Sequence, residues 1–405
     1  MRVAVVSPFL DRQHGTEMCV VEQIERFVSK YGWSIDLYAQ QVLQVQGVHA
    51  AQTSDPVPGI YWHRISEIPG PHLLKFVWWF IANHFRRSLD RRAGRLRADL
   101  LYTPGTNCLD ADAIVVHIVF RAFYEQARAE LSLRRVPLKM WPRIIHRKLY
   151  YHLIMFLERK IYRDPGVTLI AVSGKIAAQL KRYLGRVDAI LIPDTVDTSR
   201  FTPETRQQRR QELRKAFCYS VQDFVLLLIG NDWKKKGLDN LLLALAGLRD
   251  LPVRLLVVGK DDQLLYNAML RQLGLRHIVS FKTPSPEVVQ FYAVADAYVG
   301  PSLEDAFNLP ILEAMACGLP VIASSQTGAS ENINDRENGL ILPDPHDHKH
   351  LADLIRELYT DSPFRSRIAA AAAEFVRTNC SWEQNTSATC QVLETILARR
   401  RSSMA

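Results

Sequence analysis

The densest chemistry in the chain lies in Pro301-Ser302-Leu303-Glu304-Asp305-Ala306-Phe307-Asn308-Leu309-Pro310-Ile311-Leu312-Glu313-Ala314-Met315-Ala316-Cys317-Gly318. The segment reads as a strand end, a polar loop and a short helix, with Pro310 suited to the first helical turn and Gly318 to the C-terminal stop. Phe307, Asn308 and Leu309 lead into that helix, and the backbone amides of Asn308 and Leu309 at its start can hold a diphosphate. Asp305 falls in the loop and Glu313 one or two turns into the helix, so both can face one cleft and meet different hydroxyls. A lone Asp and Glu beside a helix are most often solvated; the pattern around these two favours a ligand. A second cluster, Gly230-Asn231-Asp232-Trp233-Lys234-Lys235-Lys236-Gly237, sits at a strand-to-helix turn. Lysine clusters are usually solvated faces, but between glycines at such a turn phosphate binding by Lys236, with Lys234 or Lys235, is the better reading. Near the N-terminus, His14-Gly15-Thr16-Glu17 forms a small polar loop, and His117 follows an apolar strand. A lone His after a strand is as often structural as functional, and nothing in its spacing makes it a metal ligand.

These residues need a frame. The chain opens with a strand (Val3 to Val6), a polar loop, an amphipathic helix from Glu17 to about Tyr31 and a strand from Ser34 to Tyr38. Alternation of this kind predicts a parallel sheet covered by helices. Further strands are expected at Leu100 to Thr103, Ala113 to Val116 and Thr168 to Val172. A second series starts with the unbroken apolar run Phe224 to Ile229, then a helix at about Leu238 to Leu248 and the strand Arg254 to Val258. Runs apolar on both faces are what a central parallel strand requires. The junction is placed near residue 195, before the basic segment Thr202 to Arg214. The expected division is 1–195, 196–378, and a helix over 379–405 packing back on the first domain. Helices are expected at Lys349 to Tyr359, Phe364 to Thr378 and Trp382 to Arg401. The result is two doubly wound α/β domains facing across a cleft, with ligands beyond the carboxyl ends of the strands.

The 405 residues are 48% hydrophobic and 23% charged, which supports packed cores and excludes global disorder. At roughly 100–200 residues per domain, a single small binding module is excluded as well. The formal net charge of +9 points to anionic partners without choosing among them. Six cysteines show no CxxC pair, so neither a zinc site nor a disulfide framework is suggested, and a cytoplasmic setting is the simplest. The first apolar run is too short for a secretory signal and the longest, Phe76 to Ile81, is too short to span a bilayer.

The segment around Asp305 and Glu313 resembles the E-x7-E hallmark of the retaining GT-B glycosyltransferases of family 4 (glycosyl transferases group 1), which include lipopolysaccharide core glucosyltransferases and mannosyltransferases. Here the motif is D-x7-E, with Asp305 in place of the first Glu and Asn308 in place of a Gly. The resemblance implies that Glu313 binds the nucleotide ribose and Asp305 lies at the transferred sugar. Gly230 to Gly237 resembles the family's GR-x4-KG segment, which implies that Lys236 neutralises the leaving diphosphate; Asn231 stands where the family has Arg. Ile170 to Ser173, Ile192 to Phe201, Val257 to Gly259 and Tyr292 to Ala297 resemble further family segments, and Phe281 to Pro286 the loop that reads the base. In the first domain Gly15 and Thr16 resemble the GG-x-E loop that closes over the phosphates, and His117 a His near the reacting sugar. The resemblance implies a GT-B fold of two Rossmann-like domains. It also implies a nucleoside diphosphate sugar donor, UDP or GDP, no further cofactor, and no metal; Asp261-Asp262 reads as a solvated turn. Retention would proceed by front-face attack assisted by the leaving phosphate, unlike the two-carboxylate chemistry of hydrolases.

On the acceptor side, Gly70 to Arg97 carries Phe76, Trp78, Trp79, Phe80 and Phe85, then Arg86, Arg87, Arg91, Arg92, Arg95 and Arg97. With the basic run Arg134 to Arg163, this favours contact with an anionic membrane surface on its cytoplasmic side, against the plainer reading of a core helix with a wet basic face. The expected acceptor is a saccharide or glycolipid, such as lipopolysaccharide. Rival readings are a nucleotide-sugar epimerase or hydrolase of the same fold, an inactive scaffold, and a basic nucleic-acid-binding protein; no helix-turn-helix, RNP or zinc pattern supports the last.

Overall fold

Val3-Ala4-Val5-Val6 is apolar on both faces and fully buried, as a strand covered by helices on both sides must be. It belongs to β1 (Arg2–Val6), followed by α1 (Gly15–Tyr31), β2 (Ser34–Ala39), β3 (Val48–Ala50), β4 (Gly59–Arg64) and α2 (His72–Arg92). Then come β5 (Leu100–Pro104), β6 (Ala113–Val116), α3 (Phe120–Ala127), α4 (Trp141–Tyr162), β7 (Thr168–Ala171), α5 (Gly174–Leu184) and β8 (Ile190–Leu191). The strands pair in parallel in the order β8-β7-β6-β5-β1-β2-β4-β3. The order reverses between β1 and β5, so the loop after β1 opens at the switch point where doubly wound sheets bind ligands. These assignments come from a computed structural model that describes residues 1–12, 14–50, 58–128, 131 and 137–404.

The second unit starts with α6 (Pro203–Ala216) and continues with β9 (Phe224–Ile229), α7 (Leu238–Ala246), β10 (Val253–Val258), α8 (Asn267–Gln272) and β11 (Val279–Lys282). It is completed by α9 (Val289–Val294), β12 (Ala297–Gly300), α10 (Pro310–Ala316), β13 (Val321–Ser324), β14 (Leu340–Leu342), α11 (His348–Thr360) and α12 (Ser362–Asn379). The sheet is parallel in the order β11-β10-β9-β12-β13-β14. Its switch point falls between β9 and β12, and both motif-bearing loops leave the carboxyl ends of those two strands. The basic segment after the junction is α6, whose arginines cap the end of α9. Arg206 donates to the carbonyls of Tyr292 and Ala295, Arg210 to those of Ala293 and Ala295, and Arg214 to that of Val294 and to Asp296. Cations at a helix C-terminus satisfy its open carbonyls and complement its dipole.

The chain divides into Met1–Pro193 with the segment from Glu383, and Asp194–Trp382. The last helix, α13 (Trp382–Met404), joins the first unit through Gln23 Nε2, which donates to Asn385 Oδ1 at 2.8 Å, and through Lys30 and Glu383 at 2.6 Å.

Two expectations need correction. Gly15 and Thr16 are the first residues of α1, so the helix starts two positions before Glu17, with His14 as N-cap. Part of the basic set on and after α2 is engaged within the protein, while Arg91 and Arg92 are exposed. Arg87 is 1% exposed and makes a two-bond pair with Asp110 at 2.6 and 2.9 Å, while Arg86 and Arg95 hold Asp90 at 3.0 Å. Trp79 is buried with its Nε1 on Asn107, and Phe76 packs on Phe80 and Tyr150. Arg134 and Arg135 of the second basic run lie outside the described residues.

Candidate functional site

The turn after β9 is shaped by two glycines. Gly237 has φ 78°, and a Cβ there would lie 2.0 Å from the carbonyl oxygen of Pro301. A Cβ on Gly230 would lie 2.5 Å from Cε of Lys236. Only glycine lets this turn press against the loop after β12 while the Lys236 side chain crosses over the first glycine. The loops are tied by the Leu303 amide, which donates to the Lys235 carbonyl at 2.8 Å.

This packing brings three of the expected residues together. Lys236 Nζ is 2.5 Å from Asp305 Oδ2 and 3.2 Å from Asn308 Oδ1. Asn308 is buried and adopts φ 73°, the left-handed region that Asn tolerates better than other side chains. That conformation explains why Asn can stand where the resemblance expects Gly. Its Nδ2 donates to Ser302 Oγ at 3.2 Å, so the amide is oriented with its oxygen toward the lysine. Asp305 is fixed in turn by the Phe307 amide, which donates to Oδ1 at 3.2 Å.

Phe307 and Leu309 are buried beside the start of α10, and the Phe307 carbonyl accepts from the Ala329 amide at 2.7 Å. Glu313 is buried on α10 and its Oε2 accepts from the hydroxyl of Tyr292 on α9. Burial raises the Glu313 pKa against the opposing effect of that hydrogen bond, and burial and the nearby carboxylate push the Tyr292 phenol well up. The Tyr292 hydroxyl therefore keeps its proton and holds one oxygen of Glu313. Arg200 adds an attractive charge.

Lys235 and Asn231 do not join this group. The Lys235 ammonium pairs with Asp232 at 2.9 Å, and Asn231 Oδ1 accepts from the Lys260 amide at 3.0 Å, bracing the turn after β10. Asp261, read as solvated, accepts from the Trp233 amide at 2.9 Å. Trp233 packs on Phe281, with ring centroids 4.9 Å apart. Sequence reasoning missed Ser302 and the role of Tyr292. The latter lies in a segment already marked by resemblance, but nothing local announces a partner 21 residues away.

In the first unit, Gly15 and Thr16 lie in the opening turn of α1, and nothing lies within 4 Å of a Cβ built on Gly15. His14 is held by Asp11, with Nδ1 2.8 Å from Oδ2. Burial raises the Glu17 pKa, and His117 and His14 oppose it, so the buried His117 acts on the same end of α1. Among the described residues no group of three or more His, Cys, Asp or Glu could hold a metal ion. A groove of about 660 Å³ in the second unit lies between α6, the end of α10 and α12. It is reached from the amino ends of β12 and β13, at Asp296 and Pro320, opposite the Lys236 loop. Two of its arginines are engaged within the protein, Arg206 on carbonyls and Arg377 on Glu374.

A doubly wound parallel unit with Lys236, Asp305 and Asn308 gathered at its switch point sets the class as α/β, and the comparisons narrow it. Residues 209–375, most of the second unit, match the family Glycosyl transferases group 1. Lipopolysaccharide glucosyltransferase WaaG of Escherichia coli is 27% identical over 56% of this chain and 63% of its own length. A D-inositol 3-phosphate glycosyltransferase of Arthrobacter is 33% identical over 52% of this chain and 51% of its own length. The matched stretches thus span about half to under two thirds of these curated relatives. The crystal structure of WaaG superposes with a TM-score of 0.76 over 95% of this chain and 98% of WaaG, at 20% identity. Sucrose-phosphate synthase of Thermosynechococcus elongatus gives 0.75 over 98% and 99%, at 19% identity. The fold is that of the GT-B glycosyltransferases.

Proposed function

We propose that the protein is a hexosyltransferase that moves a sugar from a UDP- or GDP-sugar to a saccharide acceptor on lipopolysaccharide, another polysaccharide or a lipid, with retention and without a metal ion. The observation that carries this reading is the Lys236 ammonium held between Asp305 and Asn308 at the switch point of a group 1 glycosyltransferase unit. Such a cation, beside the amides that lead into α10, is suited to the charge that grows on the diphosphate as the bond from the anomeric carbon to phosphate breaks. Donor phosphate oxygens would compete with Asp305 for the ammonium and free its carboxylate for hydroxyls of the sugar. Glu313, held through one oxygen by Tyr292, has the other for the ribose hydroxyls. The acceptor oxygen bonds to the anomeric carbon on the face the phosphate leaves, and its proton passes to the leaving phosphate oxygen.

The name of the WaaG relative supports a glucosyl donor and a lipopolysaccharide acceptor. Such an acceptor places the enzyme at the cytoplasmic face of the inner membrane. The test is transfer from UDP- or GDP-sugars to deacylated lipopolysaccharide core in EDTA, with the product's anomeric proton read by NMR. An α-linked product from an α-linked donor is expected. An inverted product, or transfer abolished by EDTA, contradicts the reading.

A further inference from the structure

We propose that the groove between α6, α10 and α12 is an effector site for a small organic anion, one that joins a phosphate or carboxylate head to an apolar body, and that its occupancy tightens nucleotide binding through Tyr292. The groove stands on its own observations; only the coupling rests on the reading of Glu313 given above.

The first observation is a guanidinium short of partners. Arg206 lies on α6 and lines the groove; its Nε donates to the Tyr292 carbonyl at 3.3 Å and its Nη2 to the Ala295 carbonyl at 2.9 Å. Its Nη1 has no hydrogen-bond partner among the described residues. The carboxylates of the groove do not supply one. Asp296 is taken by Arg210 and Arg214, Glu374 by Arg377, and Glu204 stands in solvent at the start of α6. Burial, with Arg210 beside it, pushes the Arg206 guanidinium down to about 10, as happens to a cation with too little negative charge around it. Such a group favours an oxyanion.

The second observation is size and lining. A volume of about 660 Å³ exceeds what an inorganic ion fills and falls in the range of small-molecule sites. One wall is the alanine face of α12, Ala369, Ala370 and Ala373, and Pro203 and Pro320 line the groove from α6 and from the residue before β13. These side chains are apolar and too short to fill the space, so the head that meets Arg206 has room for an organic body behind it.

The third observation is what stands behind the groove. Phe201, which also lines it, packs edge-on against the Tyr292 ring with centroids 5.8 Å apart, and Arg206 holds the Tyr292 carbonyl. The residue whose hydroxyl holds Glu313 is therefore braced by two residues of the groove wall. An oxyanion on Nη1 leaves both carbonyl bonds of Arg206 in place and fixes the side chain that makes them. Tyr292 is then already positioned for Glu313 when the nucleotide arrives, and affinity rises by preorganisation.

The test titrates the full chain with phenyl phosphate, benzoate and inorganic phosphate, read by NMR line broadening of each probe. An organic probe should bind more tightly than inorganic phosphate, and which of the two binds names the head group. Arg206→Gln should weaken that binding by roughly tenfold, as loss of a bond to a charged group does. Ala370→Phe fills the groove from an exposed position and should remove binding, with the fold retained in circular dichroism. Lys236→Ala should leave it unchanged. The organic probe at saturation should tighten UDP or GDP binding by about fivefold. Ala370→Phe and Tyr292→Phe should both abolish that effect, the latter with probe binding intact. No binding of either organic probe overturns the proposal. So does binding that survives both groove variants, or that is lost in Lys236→Ala, which puts the probe in the donor site. Probe binding with unchanged nucleotide affinity overturns the coupling, and a chain that binds the probe but no nucleotide keeps the groove site and loses the donor reading with the coupling.

Discussion

Asn308 separates backbone strain from side-chain chemistry in one pair of substitutions. Its φ of 73° is left-handed, its Oδ1 takes a hydrogen bond from the Lys236 ammonium, and its Nδ2 donates to Ser302. Asn308→Gly removes both bonds and relieves the backbone. A bond to a charged group contributes about 1.5–3 kcal/mol and a neutral one about 0.5–1.5 kcal/mol, so relief of the left-handed conformation leaves a net loss of about 1–2 kcal/mol. Asn308→Ala loses the same bonds and adds the cost of a left-handed alanine, about 1–2 kcal/mol, for a total near 3 kcal/mol. The difference between the two variants therefore reports φ alone, and their shared loss reports the amide. Urea unfolding of both variants measures the sum. The donor KM and kcat of Asn308→Gly show whether the amide orients Lys236 for chemistry: kcat should fall several-fold with the protein folded. Equal stability of the two variants, or a wild-type kcat in Asn308→Gly, refutes the reasoning.

Other consequences follow from the same geometry. Tyr292→Phe leaves the buried Glu313 carboxylate without its hydroxyl donor, at a cost of about 1–3 kcal/mol, and should weaken nucleotide binding in calorimetry; unchanged affinity would detach Glu313 from the donor. Burial raises the Glu158 pKa to about 7, so the folded state holds this proton more tightly than the unfolded one. The stability it contributes is complete below the ordinary Glu pKa and lost as pH rises through about 7, a change of about 3 kcal/mol that Glu158→Gln should abolish in pH-dependent unfolding. Asp90 behaves oppositely. Burial alone would raise its pKa, but Arg86, His63 and Tyr38 hold it below the usual carboxylate range, so its contribution is present above that range and lost as pH falls through the lower folded value. Asp90→Asn should therefore flatten the acid limb of unfolding and cost about 3–5 kcal/mol, as breaking a buried pair does.

What could be read from the sequence follows from how local each signal is. The apolar runs of β1 and β9, Pro310 at the start of α10 and Gly318 after it are local, and the strand-helix alternation they punctuate is the fold observed. Long-range pairings left no such trace. His63 on β4 sits between Asp36 of β2 and Asp90 of α2, at 3.0 and 3.1 Å, and nothing in any of the three segments points to the other two. In the run Lys234-Lys235-Lys236, composition treats all three alike. The turn to Gly237 decides which one crosses toward Asp305, and it sends Lys235 to Asp232 instead. Helix α2 misled for a related reason. Its arginines look like a solvated face by charge, yet helical period places Arg87 with Asn83 and Asp90 inside, where Asp110 and His63 wait for them. Hydropathy infers burial from polarity, and this helix buries its polar side.

The central claim is that the Lys236–Asp305–Asn308 group and Glu313 bind a sugar nucleotide without metal. Calorimetric titration of UDP, GDP and ADP in EDTA tests it most directly, with Lys236→Ala and Glu313→Ala alongside. The account predicts micromolar binding of one nucleotide that both substitutions abolish. Binding by none of the three, or binding that survives both substitutions, would contradict it.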